Sequence, residues 1–378
     1  VEFTFTDEQE QFRDVVSRFM SEASPPGEVR RLMETATGFD TDQWRRVSED
    51  LGLPAVHIPE AYGGQGFGMV ELGLVLEEMG RALFTGPYFS STVLAAGALL
   101  NCATDEEKAE LIPPIAAGTS IATLALTDAG NTRAPTDLTR ITTEIDAAGH
   151  LTGCKDYVLD GSLADLILVA ARAKGSEGAS GLSLYAVAGD AAGMTRENLP
   201  TVDLTRKLSR LTFSNTPARP IGEAGNATAG LARTLDEACI ALASEMVGGA
   251  QYLLDSAVAY TQSRMQFGRP IASFQAIKHR CADLLLDVEL SKSAAYHAAE
   301  VAAAGADDVP ALASLAKASA ADTYMQAAAA CIQLHGGIGF TFDNDTHLWF
   351  KRAKASEVLL GDPSWHRERM LTNWRDSI

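Results

Sequence analysis

The sequence predicts an α+β chain in which an N-terminal helical domain, a middle antiparallel β domain and a C-terminal four-helix bundle follow one another. Three observations carry this expectation. Near the N-terminus, Phe12, Val15, Val16 and Phe19 recur with the spacing of one helical face. Short alternating runs separated by turn residues fill the middle of the chain. From Thr228 onward the chain is rich in alanine and carries no strand pattern. The boundaries are drawn at 1–118, 119–227 and 228–378, in keeping with the two or three packed units expected for 378 residues.

The elements follow in order. Thr6 and Gln9 have the spacing of a capping box at the start of the first helix. Leu51 to Gly68 is a break rich in proline and glycine. Helices are expected over Val70–Ala82, Thr92–Leu100 and Glu106–Ala116. Strands are expected at Ser120–Thr127, Ile141–Ile145, Leu151–Leu159, Asp165–Ala171, Leu182–Val187 and Leu208–Phe213. Farther on, Ile277, Cys281, Leu285 and Val288 share a helical face. Asp307-Asp308-Val309-Pro310 opens another helix, with proline in its first turn. The alanines of Ala311–Gln333 let helices approach closely, which places this segment inside a bundle.

Composition excludes several classes. The chain is 46% apolar and 21% charged, enough for a sizeable core and too apolar for a disordered chain. Its 31 basic and 49 acidic residues give a net charge of −18, a field that repels nucleic acid and anionic membrane surfaces. No apolar run is long enough to span a bilayer, and no secretory leader is visible. Five scattered cysteines without a CxxC pair read as reduced, mostly buried thiols of a cytoplasmic protein.

Two segments carry the functional signal. In Arg264-Met265-Gln266-Phe267-Gly268-Arg269-Pro270-Ile271-Ala272-Ser273-Phe274-Gln275, two arginines flank a glycine. Guanidinium forks suit phosphate oxygens, although a helix–helix turn with solvated arginines would look the same. In Gln333-Leu334-His335-Gly336-Gly337-Ile338-Gly339-Phe340, paired glycines fit a helix C-cap, but three glycines in four residues exceed that need and allow a ligand to lie on the backbone. No second histidine or cysteine stands at ligand spacing from His335, so no metal site is predicted.

These two segments, in this order, resemble the acyl-CoA dehydrogenase family, as does the loop Pro59-Glu60-Ala61-Tyr62-Gly63-Gly64. The resemblance spans essentially the whole chain. It implies FAD-dependent α,β-dehydrogenation of an acyl-CoA thioester, in the setting of fatty-acid or sterol side-chain oxidation. An electron-transfer flavoprotein would be the acceptor. It also implies a homotetramer or an α2β2 heterotetramer, with the cofactor shared between subunits. Arg264 would hold the pyrophosphate, with Gln266, Phe267, Ile271 and Gln275 beside the cofactor. Gln333, Gly336 and Gly337 would embrace its adenosine half, and Thr127, Tyr157 and Leu159 would face the flavin.

The chain departs from the family at the base. The C-terminal glutamate position falls on Leu360, and the alternative position on the long helix falls on Ala238. Glu245 and Asp362 are the substitute candidates, with Glu237 beside Ala238. Glu245 lies about two helical turns, or roughly 10 Å, beyond Ala238. Each also has a structural reading: an ion pair for Glu245, a solvated acid for Glu237, and an N-cap ahead of Pro363 for Asp362. The family's Gly-Ala-Gly-Ser-Asp loop reads Ala129-Gly130-Asn131-Thr132-Arg133. The small Gly248 and Gly249 are expected to leave room for a bulky acyl group. Four readings remain at this point: a self-sufficient dehydrogenase with an unusual base, a base-deficient subunit of a heteromeric enzyme, a flavin oxidase or monooxygenase, and a non-catalytic scaffold.

Overall fold

A computed structural model describes residues 4–131, 136–178 and 181–376. The helices are α1 (Asp7–Ala23), α2 (Pro26–Met33), α3 (Thr41–Arg45), α4 (Met69–Arg81), α5 (Ala96–Cys102), α6 (Asp105–Ala116), α7 (Thr228–Ser263), α8 (Gln275–Ala303), α9 (Val309–His335), α10 (Thr346–Val358) and α11 (Pro363–Asp376). The strands are β1 (Ala122–Ala125), β2 (Glu144–Ile145), β3 (His150–Leu159), β4 (Leu166–Ala173), β5 (Leu182–Ala188), β6 (Met194–Asn198), β7 (Leu208–Pro217) and β8 (Arg219–Ile221). A short hairpin of β9 (Met265–Gln266) and β10 (Arg269–Pro270) follows α7. The order is therefore helices, a sheet region, then helices.

By contacts the chain forms two compact units. The first holds Val1–Arg31, Met69–Phe84 and Cys239–Ile378; the second holds Leu32–Gly68 and Thr85–Ala238. The second is built on an eight-stranded sheet of order β6-β7-β3-β2-β4-β5-β8, with β1 against β4. Most pairs are antiparallel, but β1 and β2 both run parallel to β4. Alternation puts Leu151, Ile167, Val169, Val187, Leu211 and Phe213 into one core. The expected capping box at Thr6 is present, with both reciprocal hydrogen bonds, and Thr104 with Glu107 forms a second before α6.

In the first unit α9 packs against α8, α10 and α11. Helices α4 and α7 meet main chain to main chain. A Cβ at Gly80 would lie 1.9 Å from the Glu245 carbonyl oxygen, and one at Gly248 would lie 1.8 Å from the Glu77 carbonyl oxygen. At Gly249 the space belongs to Tyr324, whose ring would be 2.5 Å from an added Cβ. The expectation that these two glycines leave room for an acyl group is thus corrected: neighbouring helices fill that room.

Two packing expectations also change. Val288 is buried, but Leu285 is exposed together with Leu286 and Leu290, because α8 turns Leu284, Val288, Ser291 and Ala295 inward. Val15 is likewise exposed beside the buried Val16. All five cysteines are free thiols, yet only Cys239 and Cys331 are buried. Among the described residues no helix is long and apolar enough to cross a membrane.

Candidate functional site

The first unit carries the two glycine-bearing segments. Helix α7 ends at Ser263, and the chain turns back on itself through the β9–β10 hairpin. The Arg264 N–H donates to the Tyr260 carbonyl at 2.8 Å, and the Ile271 N–H closes the hairpin on the Arg264 carbonyl at 2.9 Å. At the tip, Phe267 and Gly268 have φ of +53° and +76°. Positive φ at both central residues is the geometry of a type I′ turn, one of the two that favour a two-residue hairpin. It suits glycine, and it is unfavourable for an aromatic residue. Phe267 nevertheless adopts it and stands 89% exposed. The Arg269 guanidinium lies 4.0 Å from the centroid of the Phe274 ring, a cation–π contact that fixes one of the two arginines. Arg264, Gln266 and Gln275 are exposed, and Ile271 is partly buried.

Helix α9 ends in the second segment. Gly336, at φ +65°, caps the helix and its N–H donates to the Gln333 carbonyl. The three glycines then divide the work. A Cβ at Gly339 would meet the Ile332 carbonyl oxygen at 2.6 Å, so that glycine serves packing. A Cβ at Gly336, Gly337 or Gly268 would meet nothing within 4 Å. Gln333 is exposed beside them. The two segments adjoin within a single chain, because the rings of Tyr260 and His335 stack with centroids 4.2 Å apart and planes 23° apart.

The second unit holds Thr127, Tyr157 and Leu159. Thr127 is clamped on both sides of its backbone. The Lys155 ammonium donates to the Leu126 carbonyl at 2.8 Å and pairs with the Asp128 carboxylate at 2.7 Å. The Asp156 N–H donates to the Thr127 carbonyl at 2.9 Å. Burial pushes the Lys155 amine down to about 8 against the pull of Asp128. Burial also opposes the charge of Asp128, but Lys155 together with donors from Thr142 and Thr143 holds its carboxyl below the usual range. Strand β3 shifts register against β7 between Lys155 and Val158. Within that bulge Tyr157 takes φ +58° and its side chain is 46% exposed. Leu159 is only 4% exposed, and its carbonyl accepts the Thr123 hydroxyl. Its side chain is buried. Thr132 and Arg133 of the neighbouring loop lie outside the described residues.

The base positions look different. Leu360 is 7% exposed and sits at φ +61°. Its turn is pinned from below: the buried Lys317 ammonium donates to the Glu357 and Gly361 carbonyls at 3.1 and 3.0 Å. His366 Nε2 lies 3.0 Å from the Leu360 carbonyl oxygen. Burial, reinforced by the Lys317 charge, pushes the His366 imidazole down to about 3, and burial lowers Lys317 to about 8. Ala238 is fully buried. Glu245 is buried in an ion pair with Arg352 at 2.8 Å, and Arg352 also donates to the Phe84 carbonyl at 3.4 Å. Asp362 is exposed and accepts the Trp365 N–H at 2.8 Å, which is the N-cap geometry for α11. Glu237 accepts from Asn101 and pairs with Arg233. Each candidate carboxylate therefore has a structural partner. Sequence reading missed Tyr260, Lys317 and His366. A tyrosine one turn before the hairpin and a lysine within an alanine-rich helix were the available signals.

An acyl-CoA dehydrogenase N-terminal domain model matches residues 6–119, and an acyl-CoA dehydrogenase C-terminal domain model matches residues 229–373. The chain belongs to the acyl-CoA dehydrogenase family and has that family's fold. Among its relatives is acyl-CoA dehydrogenase IpdE2 of Mycobacterium tuberculosis, 34% identical over 94% of each chain. Among solved structures it is similar to a variant of the Tcur3481–Tcur3483 steroid acyl-CoA dehydrogenase, at 29% identity, 98% coverage of both chains and a TM-score of 0.87. It is also similar to a chain of the ChsE4–ChsE5 complex from Mycobacterium tuberculosis, at 27% identity and TM-score 0.88, covering 100% of this chain and 99% of that one.

Proposed function

We propose that the chain acts in FAD-dependent α,β-dehydrogenation of an acyl-CoA thioester, as the base-deficient subunit of a heteromeric enzyme whose related chain contributes the proton-abstracting glutamate. The observation that carries this reading is the pairing of an open cofactor end with a filled base position. Gly268, Gly336 and Gly337 have nothing over them, while Leu360 and Ala238 are buried and cannot accept a proton.

The residues present fit FAD. Arg264 would meet the pyrophosphate with a charge-assisted fork, and the bare backbone at Gly336 and Gly337 would let the adenosine half lie close. Gln333, Gln266 and Gln275 offer amide donors and acceptors, and Phe267 an apolar plane. Thr127, on anchored backbone, and Tyr157, in the β3 bulge, are the proposed neighbours of the isoalloxazine. FAD, when bound, supplies the hydride acceptor for the substrate Cβ–H. Abstraction of the Cα proton needs a carboxylate in reach, and here Glu245 and Asp362 are already engaged in an ion pair and a helix cap.

Partnership is supported by the exposed apolar row of Leu285, Leu286 and Leu290 on the unit that bears the cofactor segments. The names of the ChsE4–ChsE5 and Tcur3481–Tcur3483 structures each pair two proteins, which supports a heteromeric assembly, and an α2β2 heterotetramer is the proposed form. An electron-transfer flavoprotein is the proposed acceptor.

The exposed Asp362 carboxylate, two residues from Leu360, favours a second reading in which the chain is self-sufficient. The test is an anaerobic titration with acyl-CoA thioesters, first on the chain alone and then on the chain mixed with a related chain encoded nearby. Flavin bleaching only in the mixture is expected. Bleaching by the chain alone establishes the second reading, and a mixture that never takes up flavin overturns both.

A further inference from the structure

The two cofactor segments sit at the end of the first unit where both α7 and α9 finish. Each helix C-terminus carries roughly half a negative charge, so two of them side by side repel each other and disfavour an anion. Arg264 and Arg269 offset the second problem. The first needs a physical link, and the stacked rings of Tyr260 and His335 are such a link.

The contact is built on both sides. Tyr260 lies in the last turn of α7, and its carbonyl takes the Arg264 N–H at 2.8 Å. His335 is the last residue of α9 and is 6% exposed. Its Nδ1 lies 2.8 Å from the Cys331 carbonyl oxygen, so that nitrogen carries the proton and the ring plane is fixed. One residue beyond each fixed point the ligand segments begin: the hairpin after Arg264, and Gly336 after His335.

We propose that Tyr260 and His335 are positioning residues whose stacked rings set the separation between the Arg264 hairpin and the Gly336–Gly337 turn, and thereby hold the two halves of a dinucleotide site at bonding distance. This deepens the cofactor reading above and rests on it. Neither ring needs to touch the ligand. Their effect is exerted through the backbones they join.

The test measures FAD dissociation from the assembled heteromeric complex, together with thermal melting of each variant. Tyr260→Leu and His335→Gln remove one ring each while keeping comparable bulk; the glutamine amide also keeps a donor for Cys331. Each is expected to weaken FAD binding about five- to tenfold, the worth of one aromatic pair. The double variant is expected to be no weaker than the worse single variant, and His335→Phe is expected to restore binding to within about twofold of wild type. Melting points that fall while FAD affinity stays at the wild-type value would assign the pair to stability alone and overturn the proposal. So would losses that multiply in the double variant. If the wild-type complex takes up no FAD, the cofactor reading itself fails and takes the proposal with it, an outcome distinct from wild-type uptake with unaffected variants.

Discussion

The Arg264 hairpin and the Leu360 turn belong to the same compact unit and are built on opposite plans. At the hairpin the chain accepts a left-handed phenylalanine, leaves Gly268 uncovered and presents Arg264 to solvent. At the Leu360 turn it spends a fully buried lysine and a buried histidine to hold three carbonyls, and it closes a leucine beneath the surface. Both places contain strained backbone, but only the first leaves space beside it. Strain combined with open space points to a ligand, whereas strain combined with polar pins points to a fixed shape. In our reading the cofactor-holding half of the chemistry survives in this chain, and the proton-abstracting half has been handed to another.

Substitutions sharpen this contrast. The largest effect is expected at Glu245. Glu245→Gln removes the carboxylate charge paired with the buried Arg352 guanidinium and should lower unfolding stability by about 3–5 kcal/mol in denaturant titrations. A variant as stable as wild type but inactive in the assembled enzyme would make Glu245 a base and break the comparison. Arg264→Ala comes next. Loss of a charge-assisted contact of about 2 kcal/mol should weaken FAD retention about thirtyfold, with little change in melting, since the side chain is exposed. Retained flavin would end its assignment to the pyrophosphate.

A pH-dependent effect is expected at His366. Its folded pKa of about 3 lies below the ordinary 6.5, so between those values the unfolded chain binds a proton that the folded chain refuses. Its presence should therefore make stability fall as pH drops from about 6.5 toward 3. His366→Gln should flatten that acid limb in stability measurements across this window, leaving the part that the similarly depressed His57 contributes. The smallest effect is expected at Gly268. Gly268→Ala meets no neighbouring atom, so only the left-handed backbone opposes it, at about 1 kcal/mol. A few-fold loss of FAD affinity is expected from the methyl on the open face, and calorimetry on the assembled enzyme would read both numbers.

Much of the fold was legible because the patterns were local. The capping box at Thr6, the proline-led start of α9 and six of the strands follow from spacing of a few residues. Strand β6 was not legible: Met194 is the only apolar residue of Met194-Thr195-Arg196-Glu197-Asn198, which lies at a sheet edge, so no alternation marks it. The outward turn of Leu285 was hidden for another reason. Its apolar neighbours fit a helical stripe equally well whether that stripe faces this chain or a partner. At the candidate site the glycine motifs were legible, but the division of labour between Gly336, Gly337 and Gly339 was not, because it depends on which atoms lie over each one. The crowding around Gly248 and Gly249 was invisible for the same reason: a glycine in a helix records only that something needs the space.

That crowding has a mechanical consequence. Helices separated by side chains can slide as rotamers readjust, whereas α4 and α7 have main-chain atoms against main-chain atoms at Gly80 and Gly248. They cannot shear without first parting, so they travel as a single strut. Glu77 and Glu245 ride on it with their arginine partners, Arg13 and Arg352, which tie α1 and α10 to the same beam. Any breathing that admits a thioester must then come from parts hinged to this beam rather than from bending within it.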